Sequence, residues 1–101
     1  MVVSCKQLDF GTVFIRSESI KYFSVKNNTG RYVQLELAIT EEELCKTKAR
    51  KQIIPPGETG SFEVVLESRN SGDFKAVVKY SVNRSHTFEF VVMANLIPIA
   101  L

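Results

Sequence analysis

Histidine occurs once in this chain, at His86, and cysteine twice, at Cys5 and Cys45. A structural zinc site needs about four such ligands, so three scattered ones exclude it. A catalytic histidine needs a paired nucleophile or acid in a recognisable motif. His86 instead sits beside Ser85 at a strand start, as a loop residue does. Two cysteines are too few for a disulfide framework, and both are expected as unlinked, partly buried thiols. No apolar run approaches the roughly 20 residues of a membrane helix. "VVSC" after Met1 has neither the basic start nor the apolar core of a secretory leader. The expected setting is therefore the cytosol, where the sequons at Asn27 and Asn83 carry no meaning.

Charge of one sign is also missing. Thirteen Lys and Arg oppose eleven Asp and Glu, for a net +2. Nucleic-acid binders usually carry a basic stripe with interleaved aromatics, and neither occurs here. Gly57-Glu58-Thr59-Gly60 lacks the lysine and following helix of a phosphate loop. Glu41, Glu42 and Glu43 lack the alternating ligands and central glycine of a calcium loop. No cofactor, metal or catalytic residue is expected, and the chain does not read as an enzyme.

What is present is alternation. With 45% hydrophobic and 24% charged residues in 101, the chain has the composition of a globular domain and the length of one. Val33, Leu35, Leu37 and Ile39 alternate with Tyr32, Gln34, Glu36 and Ala38. Phe62, Val64 and Leu66 make a second row. Phe74, Ala76, Val78, Tyr80 and Val82 make a third, and Phe88, Phe90, Val92 and Ala94 a fourth. Phe23 and Val25 point inward from an early strand. Period two with one apolar face is the pattern of strands. Turn signals separate them: Asn28-Thr29-Gly30, Pro55-Pro56-Gly57, Asn70-Ser71-Gly72-Asp73 and Asn83-Arg84-Ser85. Strands at this spacing predict an antiparallel sandwich, with Phe23, Leu35, Phe62, Val64, Val78, Phe88 and Phe90 in its core. Only Thr40 to Lys51 reads as helical. Thr40 and Glu43 suggest a capping box, so a turn of helix or a charged loop crossing between sheets is expected there.

The order "LDFGTV", "KYFSVKNNTGRYVQLEL", "IIPPGETGSFEVVLES", "SGDFKAVVKYSV", "FEFVVMANL" resembles the ASPM-SPD-2-Hydin (ASH) immunoglobulin-like family, part of the PapD-like and major-sperm-protein group. The marks are Leu8-x-Phe10-Gly11-x-Val13, Asn27, Pro56-Gly57 and Gly72-x-Phe74. The resemblance implies an all-β, seven-stranded immunoglobulin-like antiparallel sandwich over residues 1–101. It also implies one module of a larger ciliary, axonemal, flagellar, centrosomal or spindle protein. Such a module works as a cytoplasmic, cytoskeletal protein–protein interaction scaffold. Its partners would be neighbouring tandem domains, axonemal or centrosomal proteins, or tubulin, without nucleic acid or membrane insertion. The isolated domain is expected to be monomeric. The other implied function is a cytosolic tether that binds short linear peptides, as major-sperm-protein domains do, with Lys21, Lys26 and Arg31 a loose echo of their basic strand face. Within this fold, Gly11 is expected to let the first strand switch sheets. Asn27 and Asn28 are expected to satisfy turn amides and tolerate a left-handed backbone. "LIPIAL" reads as a linker before another domain, or as a segment folded back over the sheet.

Two sets of residues stand out as partner-binding candidates. Val77, Val91 and Met93 fall on rows opposite the core residues, so their strands are apolar on both faces, and three such residues on neighbouring strands make a candidate patch. Lys46, Lys48, Arg50 and Lys51 form a basic run expected to be a mobile loop, a candidate contact for an acidic surface such as a tubulin tail.

Overall fold

The computed structural model describes residues 2–98. Its strands are β1 (Val2–Val3), β2 (Gln7–Phe14), β3 (Ser19–Lys26), β4 (Val33–Ala38), β5 (Lys51–Ile54), β6 (Thr59–Leu66), β7 (Gly72–Val82) and β8 (His86–Ile97). They form a three-stranded sheet, β1-β3-β6, and a five-stranded sheet, β2-β8-β7-β4-β5. The described residues thus hold eight strands rather than seven, the addition being the two-residue β1. The sandwich is antiparallel throughout except at one place: β2 runs parallel to β8.

The period-two rows become the inner faces. Phe23, Val25, Leu35, Ile54, Phe62, Val64, Val78, Phe90 and Val92 are buried between the sheets. Side chains alternate across a strand, so each sheet sends one row inward, and the two rows interdigitate. Phe23 stacks on Phe90 with ring centroids 4.3 Å apart, and Tyr80 packs against both.

Phe88 is the exception to the expected core. It lies on the Phe90 row but is 49% exposed, stacked only on Tyr80. β2 begins opposite Val91, so the last stretch of β8 toward its hairpin outruns its cover.

The sheet switch also differs from expectation. β1 pairs with β3 and β2 with β8, so the chain changes sheets at Ser4 to Lys6, before Gly11. Gly11 instead marks a bulge, where the register shifts between Asp9 and Thr12. Its φ of +67 is a left-handed value that glycine adopts without steric cost. The amide of Gly11 donates to Asp9 Oδ1 at 2.8 Å.

Asn27 does what the turn requires, and Asn28 does not share the task. Asn27 is fully buried. Its Oδ1 accepts from the Thr29 amide and hydroxyl, and its Nδ2 donates to the carbonyls of Arg31 and Ile54. The positive-φ non-glycine residues are Arg16, Asn83 and Arg84. The last two are the centre of the β7–β8 turn, where a hairpin twist favours φ above zero.

The segment between β4 and β5 returns to the same sheet rather than crossing. It holds one 3-10 turn, Glu42–Leu44, whose preceding residue Glu41 makes no side-chain cap. Thr40 bonds Glu41 instead of building a capping box. Leu44 is buried, and Thr47 Oγ1 accepts the Val65 amide at 3.0 Å. The Glu67 amide donates to Glu43 O. The segment therefore lies along the outer edge of β6 like a substitute strand. "LIPIAL" is also part of the fold at its start: Leu96 is buried and Ile97 ends β8. Its last residues lie outside the described residues.

Candidate interaction surface

Among the described residues no group of His, Cys, Asp or Glu is placed to hold a metal. No helix there is long and apolar enough to cross a membrane. Cys5 is half-buried and Cys45 exposed, both as free thiols, so only Cys5 matches the expected partial burial. What the fold presents is surface.

The register joins the apolar candidates. Val77 stands directly across from Val91, and Met93 lies one inter-strand step further along β8, between Lys75 and Asp9. All three face away from the core. Val77 is 41% exposed, while Val91 and Met93 are half-buried by their neighbours. Gln7 continues the Val77–Val91 row, and Lys79 pairs with Glu89 on the next. The result is an apolar centre with a charged rim of both signs on the outer face of the five-stranded sheet.

The basic candidates do not come together in that way, and their loop is pinned rather than mobile. Lys46 Nζ meets Glu67 at 2.9 Å and Glu18 at 3.4 Å. The hydrogen bond to Glu67 holds the Lys46 ammonium above the usual lysine range; desolvation opposes this, and the charges of Glu67 and Glu18 add to it. Arg50 donates to the carbonyls of Thr47 and Cys45, which closes the loop on itself. Lys51 lies in β5 across from Glu36. Among the described residues, Lys48 and Lys51 show no side-chain ion pair or hydrogen bond. The reason for the difference is that Glu18 and Glu67 reach Lys46, and the loop's own carbonyls reach Arg50. Lys21 and Lys26 likewise share no face. Lys21 falls on the Phe23 row and Lys26 on the opposite one, because an odd separation along a strand reverses the side.

Two surfaces escaped the sequence reading. Ile20 and Tyr22 are exposed on the outer face of the three-stranded sheet, with Ile20 across from Val65. Lys46, Lys48, Ala49 and Glu63 complete a groove there with Ile20 and Val65. The signal is present in the sequence, since Ile20 and Tyr22 fall on the outward row of the strand that sends Phe23 and Val25 inward. The second surface is a groove of about 580 Å³ beside Phe88, formed with Val3, Cys5, Lys6, Tyr80 and Glu89. Burial pushes the Tyr80 phenol up from its ordinary value. Nothing in the alternation distinguishes Phe88 from Phe90, so this groove needed the tertiary structure.

Known proteins share this architecture. The PapD-like domain 7 of human CEP192, an ASH domain, superposes with a TM-score of 0.85 over 98% of this chain and 86% of its own, at 12% identity. A major-sperm-protein family member from C. elegans matches with a TM-score of 0.61 over 95% and 96%, at 6% identity. In sequence, the chain is 29% identical over all 101 residues to cilia and flagella-associated protein 47 of Mus musculus, of which it spans 3%. Residues 1–94 match the model of the HYDIN/CFA65/VesB-like Ig-like domain. The alternating rows, the two-sheet sandwich and this match agree: the chain belongs to the HYDIN/CFA65/VesB-like family of immunoglobulin-like domains.

Proposed function

We propose that this domain is a non-enzymatic protein-interaction module of a ciliary or centrosomal scaffold, one of several modules in a longer protein, acting in the cytoplasm on the cytoskeleton. The observation that carries this reading is the apolar centre formed by Val77, Val91 and Met93 on the outer sheet face, flanked by Lys75, Lys79, Glu89 and Asp9. A face turned only to water would gain nothing from three apolar residues in register, whereas a contact face gains from their burial. The mouse relative, by its name associated with cilia and flagella, supports the setting, and its length supports a modular parent. Tubulin is the less favoured partner, because two of the four basic candidates, Lys46 and Arg50, are engaged within the domain.

The double substitution Val91→Ser and Met93→Ser tests the reading. Expressed in ciliated cells as part of its parent protein, the variant should keep its thermal midpoint and lose its axonemal or centrosomal enrichment. A folded variant that localises as the parent does removes this patch from the mechanism. A variant that unfolds shows that Val91 and Met93 serve the core.

A further inference from the structure

The early sheet switch leaves two gaps. β1, continued by the Ser4 amide bonded to Ser24 O, covers only the Ser24–Lys26 end of β3, and β2 covers β8 only from Val91 onward. The outer edges of the sandwich are otherwise protected in ways that discourage pairing. β1 has two residues and β5 four. β2 carries the Gly11 bulge. β6 is lined by Thr47, by Glu43 and by the Gln52 side chain bonded to Ser61 O.

The β8 gap has no such device. The Val91 amide donates to Lys6 O, so the backbone groups of Val91, Glu89 and Thr87 point to that side, because strand residues alternate in direction. β7 occupies only the other side. Among the described residues, no backbone bond reaches Thr87 or Glu89 from the open side. Next to this edge lies the groove of about 580 Å³ with Val3, Cys5, Tyr80 and the 49%-exposed Phe88. Unpaired donors and acceptors thus lie beside a slot whose apolar part is Val3, Cys5, Tyr80 and Phe88, with Lys6, Thr87 and Glu89 completing its lining. The β3 gap lacks the second part, since its core-side residue is Lys21 and its apolar Ile20 and Tyr22 face outward.

We infer that the His86–Phe90 edge of β8 is a β-augmentation site. It takes an extended segment of another polypeptide that continues the sheet where β2 has not begun and places apolar side chains, two residues apart, against Phe88 and Tyr80. The occupant is a peptide segment rather than a second copy of this chain. Five residues of strand span about 17 Å, and stable protein pairs bury about 1,200–2,000 Å², which an edge this short does not provide for two folded domains. A single extended segment needs less, because main-chain bonds and one or two side-chain sites hold it. This inference rests on the reading of the domain as a protein-binding module, but it uses a different surface from the Val91–Met93 patch.

The test uses the 101-residue chain and a synthetic peptide of alternating threonine and valine with a lysine at each end. Titration followed by amide NMR should shift Thr87 and Glu89 saturably and slow their hydrogen exchange. N-methylating the peptide amides along one of its edges should abolish binding, while methylating the other edge is tolerated. Glu89→Pro removes an edge donor without touching the β7 ladder, and should weaken binding about tenfold, as losing one or two hydrogen bonds does. Val91→Ser with Met93→Ser should leave peptide binding unchanged, which separates failure here from failure of the outer patch. Binding that survives both methylations, shifts confined to β3 or β5, or no saturation overturns the inference. So does a dimer in sedimentation that Glu89→Pro dissolves, since a second copy would then be the occupant. Should Glu89→Pro fail to fold, the methylated peptides decide alone.

Discussion

Asn27→Ala should unfold this domain more readily than most single changes in its hydrophobic core. Asn27 is 0% exposed and ties two turns together. It accepts from the Thr29 amide at 3.0 Å and hydroxyl at 2.6 Å, and donates to Arg31 O at 2.6 Å and Ile54 O at 2.9 Å. Its own backbone bonds Glu58 O and Gly57 N–H, and alanine would keep those. Alanine loses the four side-chain bonds. The Ile54 carbonyl is left buried without that partner, at a cost of about 1–3 kcal/mol. The bonds to Thr29 and Arg31 lie nearer water and contribute about 1 kcal/mol each net. The sum is about 4–6 kcal/mol, against a typical domain stability of about 5–15 kcal/mol. For a chain of this length that lowers the thermal midpoint by roughly 15–50 °C. Urea denaturation at constant slope measures it. Asn27→Asp adds a pH signature. Its carboxylate would face two carbonyl oxygens, so the folded state should raise its pKa above the unfolded value near about 3.9. The protonated acid can still donate once. The deficit should therefore be smallest below that unfolded value and grow as pH rises through the raised folded one. A loss under about 1 kcal/mol for Asn27→Ala, or a pH-independent Asn27→Asp, refutes the reasoning.

Two further outcomes follow from the core. Phe62→Ala should cost about 3–5 kcal/mol, because Phe62 is fully buried, whereas Phe88→Ala, at a half-exposed site, should cost under about 1.5 kcal/mol; equal urea midpoints would contradict the placement of Phe88 outside the core. Spectrophotometric titration of the protein and of Tyr80→Phe should assign to Tyr80 a phenol that ionises above its ordinary value, since burial raises its pKa. Folding stability linked to Tyr80 is then fully present below about pH 10, the unfolded value, and is lost as pH rises through the folded one; a Tyr80 phenol that ionises at its unfolded value would contradict it.

The proposed peptide site follows from how the first strand divides itself. β1 and β2 each close only part of a different sheet edge, so neither edge is closed completely. The exposed Phe88 and the open amides of Thr87 and Glu89 arise from that one choice of path. Val77, Val91 and Met93 arise from another source, the outward half of the alternation on β7 and β8. Surfaces with separate origins can be tested separately, as the variants above do.

Alternation by itself determined which side chains of β4, β6 and β7 enter the core, because side-chain direction repeats every two residues whatever the partner strand. It also turned Val77, Val91 and Met93 outward, while the β7–β8 register brought them together. Turn chemistry placed the breaks, and Asn27 was legible as a turn residue because its side chain bonds locally. Tertiary structure decided the rest. The parallel pairing of β2 with β8 depends on where the chain crosses between sheets, and Ser4 to Lys6 carry no local mark of that crossing. Phe88 lost its expected burial because cover comes from a strand some eighty positions away. The basic loop lost its expected freedom for the same reason: Glu18 and Glu67, distant in sequence, reach Lys46, and Val65 holds Thr47. Local pattern governs which face a residue takes; long-range contact governs whether anything lies across from that face.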